Sequence, residues 1–161
     1  MAYLLDKTGD QVKDQLTTVV GGIHVHENST AQSIPTGTTY TKIINFGDNN
    51  SASSNITPDS ANNKITITKA GKYRIEGNFN IISDPGNIEV WISLYKNGVE
   101  IDSCHIKRKI SVANDVGSAS FTDTILCNAS DELDVRVRHD DPGSVDITFE
   151  YMNFNASRVG I

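Results

Sequence analysis

The chain has 161 residues, an apolar fraction of 37% and a formal charge of −6. That length fits one domain with a single two-sheet core and a short appendage. An acidic chain without a basic patch cannot replace phosphate counterions, which argues against a nucleic-acid partner. No run of about 18 apolar residues is available to span a membrane as a helix.

Residues 1–22 differ from the rest. The opening MAYLLDKTGDQ carries acidic residues early and lacks a secretory apolar core, so it is not read as a signal peptide. Val12, Leu16, Val19 and Val20 fall at i, i+4, i+7 and i+8, the spacing of a narrow helical stripe. Asp10 can cap its start and Gly21-Gly22 can end it. The spacing predicts a short helix, with an irregular surface arm as the alternative. A helix this short is marginal alone and needs something to lie against. Residues 1–22 are therefore expected to be an attachment arm, with Val12, Leu16 and Val19 as its contact stripe. Residues 23–161 are expected to form the domain.

Short strands follow at intervals of about a dozen residues. The first is expected over residues 23–26, and the next over 38–46, with Tyr40, Ile44 and Phe46 on one side. A loop over 47–63 includes a short strand near Ile56. Strands are then expected over 64–68 and 71–82, and the second shows the cleanest pattern. Tyr73, Ile75, Phe79 and Ile81 share one parity, while Lys72, Arg74, Glu76, Asn78 and Asn80 share the other. Strands over 88–95 and 99–107 flank Asn97-Gly98, which supplies the two positive-φ residues of a tight hairpin. Strands over 118–127, 133–139 and 145–154 close the domain. Eight or more strands with no helix after residue 22 predict an all-β, two-sheet jelly-roll sandwich. Its core is expected to hold Tyr73, Ile75, Phe79, Ile92, Leu94, Phe121, Leu133, Val135, Ile147 and Phe149.

The strand over 88–95 is apolar on both faces, because Trp91 and Tyr95 oppose Ile88, Val90, Ile92 and Leu94. Such a strand must be covered on both sides. The last strand has the same character, with Val145, Ile147, Phe149 and Tyr151 on one row and Met152 and Phe154 on the other. Trp91, Tyr95, Met152 and Phe154 are therefore expected to form a subunit interface. The alternative is that loops or the N-terminal segment cover Trp91 and Met152. Cys104 and Cys127 are read as two buried thiols, without a disulfide framework.

Several of these residues match a known pattern. Ala70-Gly71-Lys72-Tyr73-Arg74-Ile75, Leu94-Tyr95-Lys96-Asn97-Gly98-Val99 and Asn128-Ala129-Ser130-Asp131-Glu132-Leu133-Asp134-Val135 resemble three motifs of the jelly roll shared by complement globular heads and tumour necrosis factor. Ile75 and Gly77 stand where that family prefers aromatics, and Ser130-Asp131 replaces its Gly-Asp. The resemblance covers about residues 38–155 and implies a ten-strand jelly roll that forms trimers. Leu5–Val12 and Val19-Val20-Gly21-Gly22 are similar to leader segments of bacteriophage fibre and virion-surface proteins, a shorter and less specific likeness.

Enzyme signatures are absent: there is no Gly-x-Ser-x-Gly elbow, phosphate loop or His-Glu-x-x-His helix. Asp140 and Asp141 beside His139 are read as a polar β-turn completed by Pro142-Gly143, with a calcium or paired-carboxylate site as the alternative. Asp123 is either a buried, hydrogen-bonded acid or a rim residue. His24 and His26 point to one side of a strand, so a trimer with these strands at its axis would present six imidazoles, enough for octahedral iron or nickel. The competing reading is a polar strand face, and otherwise no cofactor is expected. The resemblance implies a non-enzymatic trimeric structural protein on the surface of a phage particle, assembled in the host cytoplasm. A capsid decoration or cement protein is expected first, with capsid or other virion proteins as partners. A fibre or adsorption protein, or a module binding a host-surface glycan or receptor, is the alternative.

Overall fold

The computed structural model describes residues 18–50 and 52–161. Twelve strands are assigned among them: β1 (Val20–Val25), β2 (Gln32–Ile34), β3 (Thr41–Lys42), β4 (Asp48–Asn49), β5 (Ile56–Asp59), β6 (Lys64–Ile67), β7 (Gly71–Asp84), β8 (Ile88–Lys96), β9 (Val99–Ile110), β10 (Val116–Cys127), β11 (Glu132–His139) and β12 (Val145–Gly160). Apart from a 3-10 turn over Ser60–Asn62, they are joined by turns and loops. They form two antiparallel sheets. The first runs β10-β7-β12-β1-β4 with β2 paired to β12, and the second runs β5-β6-β11-β8-β9 with β3 paired to β11.

The expected core is correct. Tyr73, Ile75, Phe79, Ile92, Leu94, Phe121, Leu133, Val135, Ile147 and Phe149 are all buried between the sheets. Period-two alternation explains this, because each strand turns one row inward and one outward. The Asn97-Gly98 turn is also as expected, with φ of 52° and 79°.

Three local departures alter the reading. In β12 one extra residue between Phe149 and Met152 bulges the strand relative to β7. A bulge resets the alternation. Tyr151 is thereby turned out of the inward row, and Met152 and Phe154 enter it at 0% exposure. These two residues are therefore corrected from the subunit interface to the core of the single chain. In β9 the register jumps between Ile101 and His105, and the bulge directs Cys104 inward. The expected strand over 38–46 shrinks to Thr41–Lys42, with Ile43 and Phe46 buried and Ile44 exposed.

The domain also begins earlier than expected. β1 starts at Val20 and pairs with β12 from Val20↔Ser157 to Val25↔Met152. Gly21 and Gly22 are thus strand residues instead of a helix end. A β-carbon on Gly21 would lie 1.9 Å from Ile56 Cγ2, and one on Gly22 would lie 2.0 Å from Asn155 Oδ1. Close approach on both faces is what requires glycine there. Val19 is 2% exposed and belongs to the core, so it leaves the expected attachment stripe. Val12, Leu16 and the predicted helix lie outside the described residues.

Candidate interaction surface

The outer face of the second sheet is built by alternation along β8 and β11. With Val90, Ile92 and Leu94 facing in, Trp91, Ser93 and Tyr95 face out, and the pairing sets Arg138 beside Trp91, Arg136 beside Ser93 and Asp134 beside Tyr95. On the other flank Lys107 lies opposite Trp91 and His105 opposite Ser93. Tyr40, just before β3, leans over the same area.

Cations stack on these aromatics. The Arg138 guanidinium lies 4.2 Å from the Trp91 ring centre and 5.3 Å from that of Tyr40. Arg136 lies 4.1 Å from Tyr95, and the Lys107 ammonium 4.6 Å from Trp91. The rings of Tyr40 and Tyr95 are 5.7 Å apart. Each such contact is favourable because the ring face is electron-rich. The cover expected over Trp91 and Tyr95 therefore comes in part from this chain's own arginine and lysine stems, which leave both rings half-buried.

Charge on this face is matched locally. Lys107 pairs with Glu89 at 2.6 Å, Arg136 with Asp134 at 2.7 Å, Lys42 with the same Asp134 at 3.4 Å, and Arg138 with Asp140. Burial, with the Glu100 charge adding to it, pushes the Tyr40 phenol up to about 12 against the opposing pull of Arg138. Tyr40 is thus a neutral hydroxyl at ordinary pH. Beneath the rings the buried Ser93 hydroxyl has no hydrogen-bond partner among the described residues. The result is an electrically neutral aromatic and arginine surface suited to contact with another protein, since Trp, Tyr and Arg dominate interface energetics.

The other residues singled out by sequence are dispersed. His24 and His26 lie on the outer face of the first sheet, where the His26 ring meets Tyr151 edge-on at 5.1 Å. No group of three or more His, Cys, Asp or Glu positioned for a metal occurs among the described residues, so these two histidines have no third donor there. His139 is separated from Asp140 and Asp141 by strand alternation: its imidazole is fully buried 2.7 Å from the Ile34 carbonyl, while Asp140 pairs outward with Arg138. Asp123 sits at the rim beside the β9 bulge. Hydrogen bonds from Ser103, the Thr124 N–H and Cys104 hold its carboxyl below the ordinary range. Cys104 and Cys127 are both free and buried. Burial pushes their thiols up to about 12 and about 11.

Sequence reasoning missed one polar centre. Asp131 is buried beneath the Asn97-Gly98 turn, accepting from Asn97 Nδ2 and from the Asn128 N–H, both at 2.8 Å. Asn97 Oδ1 accepts in return from the Glu132 N–H at 2.8 Å. This links the β8–β9 hairpin to the β10–β11 turn, and its only sequence signal was the Asn128–Val135 motif.

No protein-family model matches the chain, and no curated protein matches it in sequence. Solved structures match its shape. The globular domain of zebrafish complement 1qA protein aligns with a TM-score of 0.63 at 15% identity, over 88% of this chain and 97% of that one. The Eiger TNF structure from S. frugiperda aligns with a TM-score of 0.59 at 9% identity, over 89% and 94%. The fold is therefore the jelly roll of complement heads and tumour necrosis factor.

Proposed function

We propose that this jelly roll is a non-catalytic, homotrimeric component of a particle surface, and that the residues preceding Thr18 attach it. The observation that supports self-association is the aromatic and arginine surface around Trp91 and Tyr95. It lies at the centre of a sheet, its charges are neutralised in place, and its rings remain half-buried when one chain is considered alone. A second and third copy would complete that burial. Likeness to complement and tumour-necrosis-factor jelly rolls supports the same reading at the level of fold.

Attachment through the N-terminal segment is supported by where it joins the domain. β1 enters beside the end of β12, at Val20↔Ser157, and the turns between Asp84 and Ile88 and between His139 and Val145 lie at the opposite end of the sandwich. A chain held at one end with its turns free at the other fits a decoration protein seated on a phage shell. With Val19 in the core, the contact stripe rests on Val12 and Leu16. Two experiments test the reading separately. Trp91→Asp should convert a sedimenting trimer into monomer, and an unperturbed trimer would move the interface elsewhere. Val12→Asp with Leu16→Asp in the full chain should abolish binding to particles lacking the protein, because charge is placed in a dry contact. Normal decoration by that variant would overturn the attachment role.

A further inference from the structure

The end of the sandwich opposite the N-terminal segment holds a buried imidazole, and nothing proposed above uses it. Leu133, Val135, Val137 and His139 form the inward row of β11, so the last place in an otherwise aliphatic row is taken by His139 at 0% exposure. His139 pairs across to Val90 of β8, while Ile34 of β2 pairs with Val145 of β12, and all three of these neighbours are buried. The His139 Nε2 lies 2.7 Å from the Ile34 carbonyl oxygen. A carbonyl only accepts, so Nε2 carries the ring proton. Nδ1 is buried and has no hydrogen-bond partner among the described residues.

That imidazole fastens a short element. β2 has three residues and pairs with β12 at the side of the main strand path. Residues 35–40 then lead to β3. His139 holds this segment twice: Nε2–H donates to the Ile34 carbonyl, and the His139 carbonyl accepts from the Gly37 N–H at 3.2 Å. Thr36 Oγ1 adds a bond to the Asp141 carbonyl. The charged groups on the surrounding elements stand on outward positions. Arg138 of β11 pairs with Asp140, Glu89 of β8 pairs with Lys107, and Asp146 of β12 and Asp84 of β7 are exposed. Asp141 follows in the turn, half-buried, and residues 32–40 contain no charged side chain.

We propose that His139 is an acid-sensitive latch: uptake of a second proton releases residues 34–40 from β11 and β12 and leaves the rest of the sandwich folded. The second proton, taken from solvent, has only Nδ1 to bind. It creates a donor without an acceptor and places a positive charge in an aliphatic row that no carboxylate shares. An unpaired buried charge and an unsatisfied buried donor both oppose the closed form. Water removes both penalties once β2 lifts away, and a three-residue strand at the side of its sheet has the fewest bonds to break. The closed form thus binds one proton fewer than the open form. An imidazole in water takes up its proton near about pH 6.5, so closure is favoured above that value and lost progressively below it. Tyr40, at the far end of the released segment, shares the Arg138 guanidinium with Trp91, so opening reaches the surface described above.

The test is amide hydrogen exchange of the full chain from about pH 7.5 to about pH 5, with each rate corrected for the intrinsic pH dependence of exchange. Protection of the Gly37 amide should fall by up to about tenfold per pH unit below about pH 6.5, the signature of one proton taken up on opening. Amides of β7 and β8 should keep their protection. His139→Gln can still donate to the Ile34 carbonyl and cannot titrate, so it should abolish the pH dependence. His105→Gln should retain it, which separates His139 from the histidine whose ring lies 3.4 Å from the Tyr40 hydroxyl. Should His139→Gln fail to fold, the ¹⁵N signals of the parent's His139 ring decide: they should show the neutral Nε2–H form at pH 7 and a second proton only as Gly37 loses protection. Gly37 protection that ignores pH would overturn the proposal, as would equal pH dependence in His139→Gln. A doubly protonated His139 beneath a protected Gly37 amide, or β7 and β8 losing protection together with Gly37, would overturn it as well.

Discussion

Asp131→Ala is expected to be among the most damaging single changes at a polar position. The carboxylate accepts from Asn97 Nδ2 and from the Asn128 N–H, both at 2.8 Å, and Lys96 Nζ lies 3.9 Å away. Hydrogen bonds to a charged group are worth about 1.5–3 kcal/mol each, and removing one partner leaves the other unsatisfied. Two such bonds give an expected loss of about 3 kcal/mol. In a domain of this size each kcal/mol lowers Tm by about 2–4 °C, so a fall of about 10 °C is expected. The tie joins the β8–β9 hairpin of the second sheet to the β10–β11 connection between the sheets and leaves the core rows untouched, so the two-state character of unfolding and the urea m-value should be unchanged.

The pH dependence supplies an independent check. Burial pushes the Asp131 carboxyl up, but the Asn128 and Asn97 hydrogen bonds and the Lys96 charge outweigh it, and the net shift is downward. A carboxylate with a depressed folded-state pKa contributes stability that is fully present above its unfolded value, about 3.9, and that is lost as pH falls through the folded value. The gap between parent and Asp131→Asn should therefore be constant above about pH 5 and narrow as pH falls below about 4. Urea denaturation from pH 7 to pH 3 measures it. A gap that stays constant to pH 3, or an alanine variant destabilised by less than about 1 kcal/mol, would refute the claim that the charge holds these turns together.

Ser130 has a φ of 73°, in the left-handed region that costs a non-glycine residue about 1 kcal/mol or more. Ser130→Gly should raise stability by up to about 1 kcal/mol in urea titration, and a destabilised variant would show that the serine side chain contributes more than the strain it carries. Cys104 and Cys127, pushed up to about 12 and about 11, should resist a thiol reagent at pH 8 in the native protein and react fully in denaturant. Rapid labelling of the folded chain would contradict their burial. If the proposed trimer packs through Trp91, Trp91→Asp should dissociate it at concentrations where the parent remains assembled, since an aromatic at the centre of an interface commonly carries about 2 kcal/mol or more.

What the sequence revealed, and what it hid, follows from which signals are periodic. Along β7 and β8 every residue that alternates does so without interruption, so Tyr73, Ile75, Ile92 and Leu94 were assigned inward correctly. The β12 bulge was not legible, because Glu150-Tyr151 contains neither glycine nor proline and nothing in the residue pattern marks the insertion. One unmarked residue was enough to reverse Met152 and Phe154. Gly21-Gly22 was legible only as a breaker, since glycine is a poor strand former and its justification, close contact with Ile56 and Asn155, comes from segments far along the chain. The cation cover over Trp91 and Tyr95 could have been found. Once Leu133 and Val135 face inward, alternation alone turns Asp134, Arg136 and Arg138 outward, and only the register with β8 was missing.

The two outer faces impose different requirements on any assembly. Around Trp91, each cation's charge is met by an acid beside it, so a partner gains mainly by excluding water from rings and arginine planes, and salt should affect that contact little. Around Asn78 the depressions along the β7–β10 seam are lined by Phe79, Ala119 and Phe121 as well as by amides and hydroxyls, so a partner there would have to exclude water and satisfy hydrogen bonds at once. Because residues preceding Thr18 join the sandwich at one end, attachment through them would leave both lateral faces open. Assembly on one face and tethering at the end are therefore sterically compatible, and variants at Trp91 and Leu16 should affect two separate measurements without crossing over.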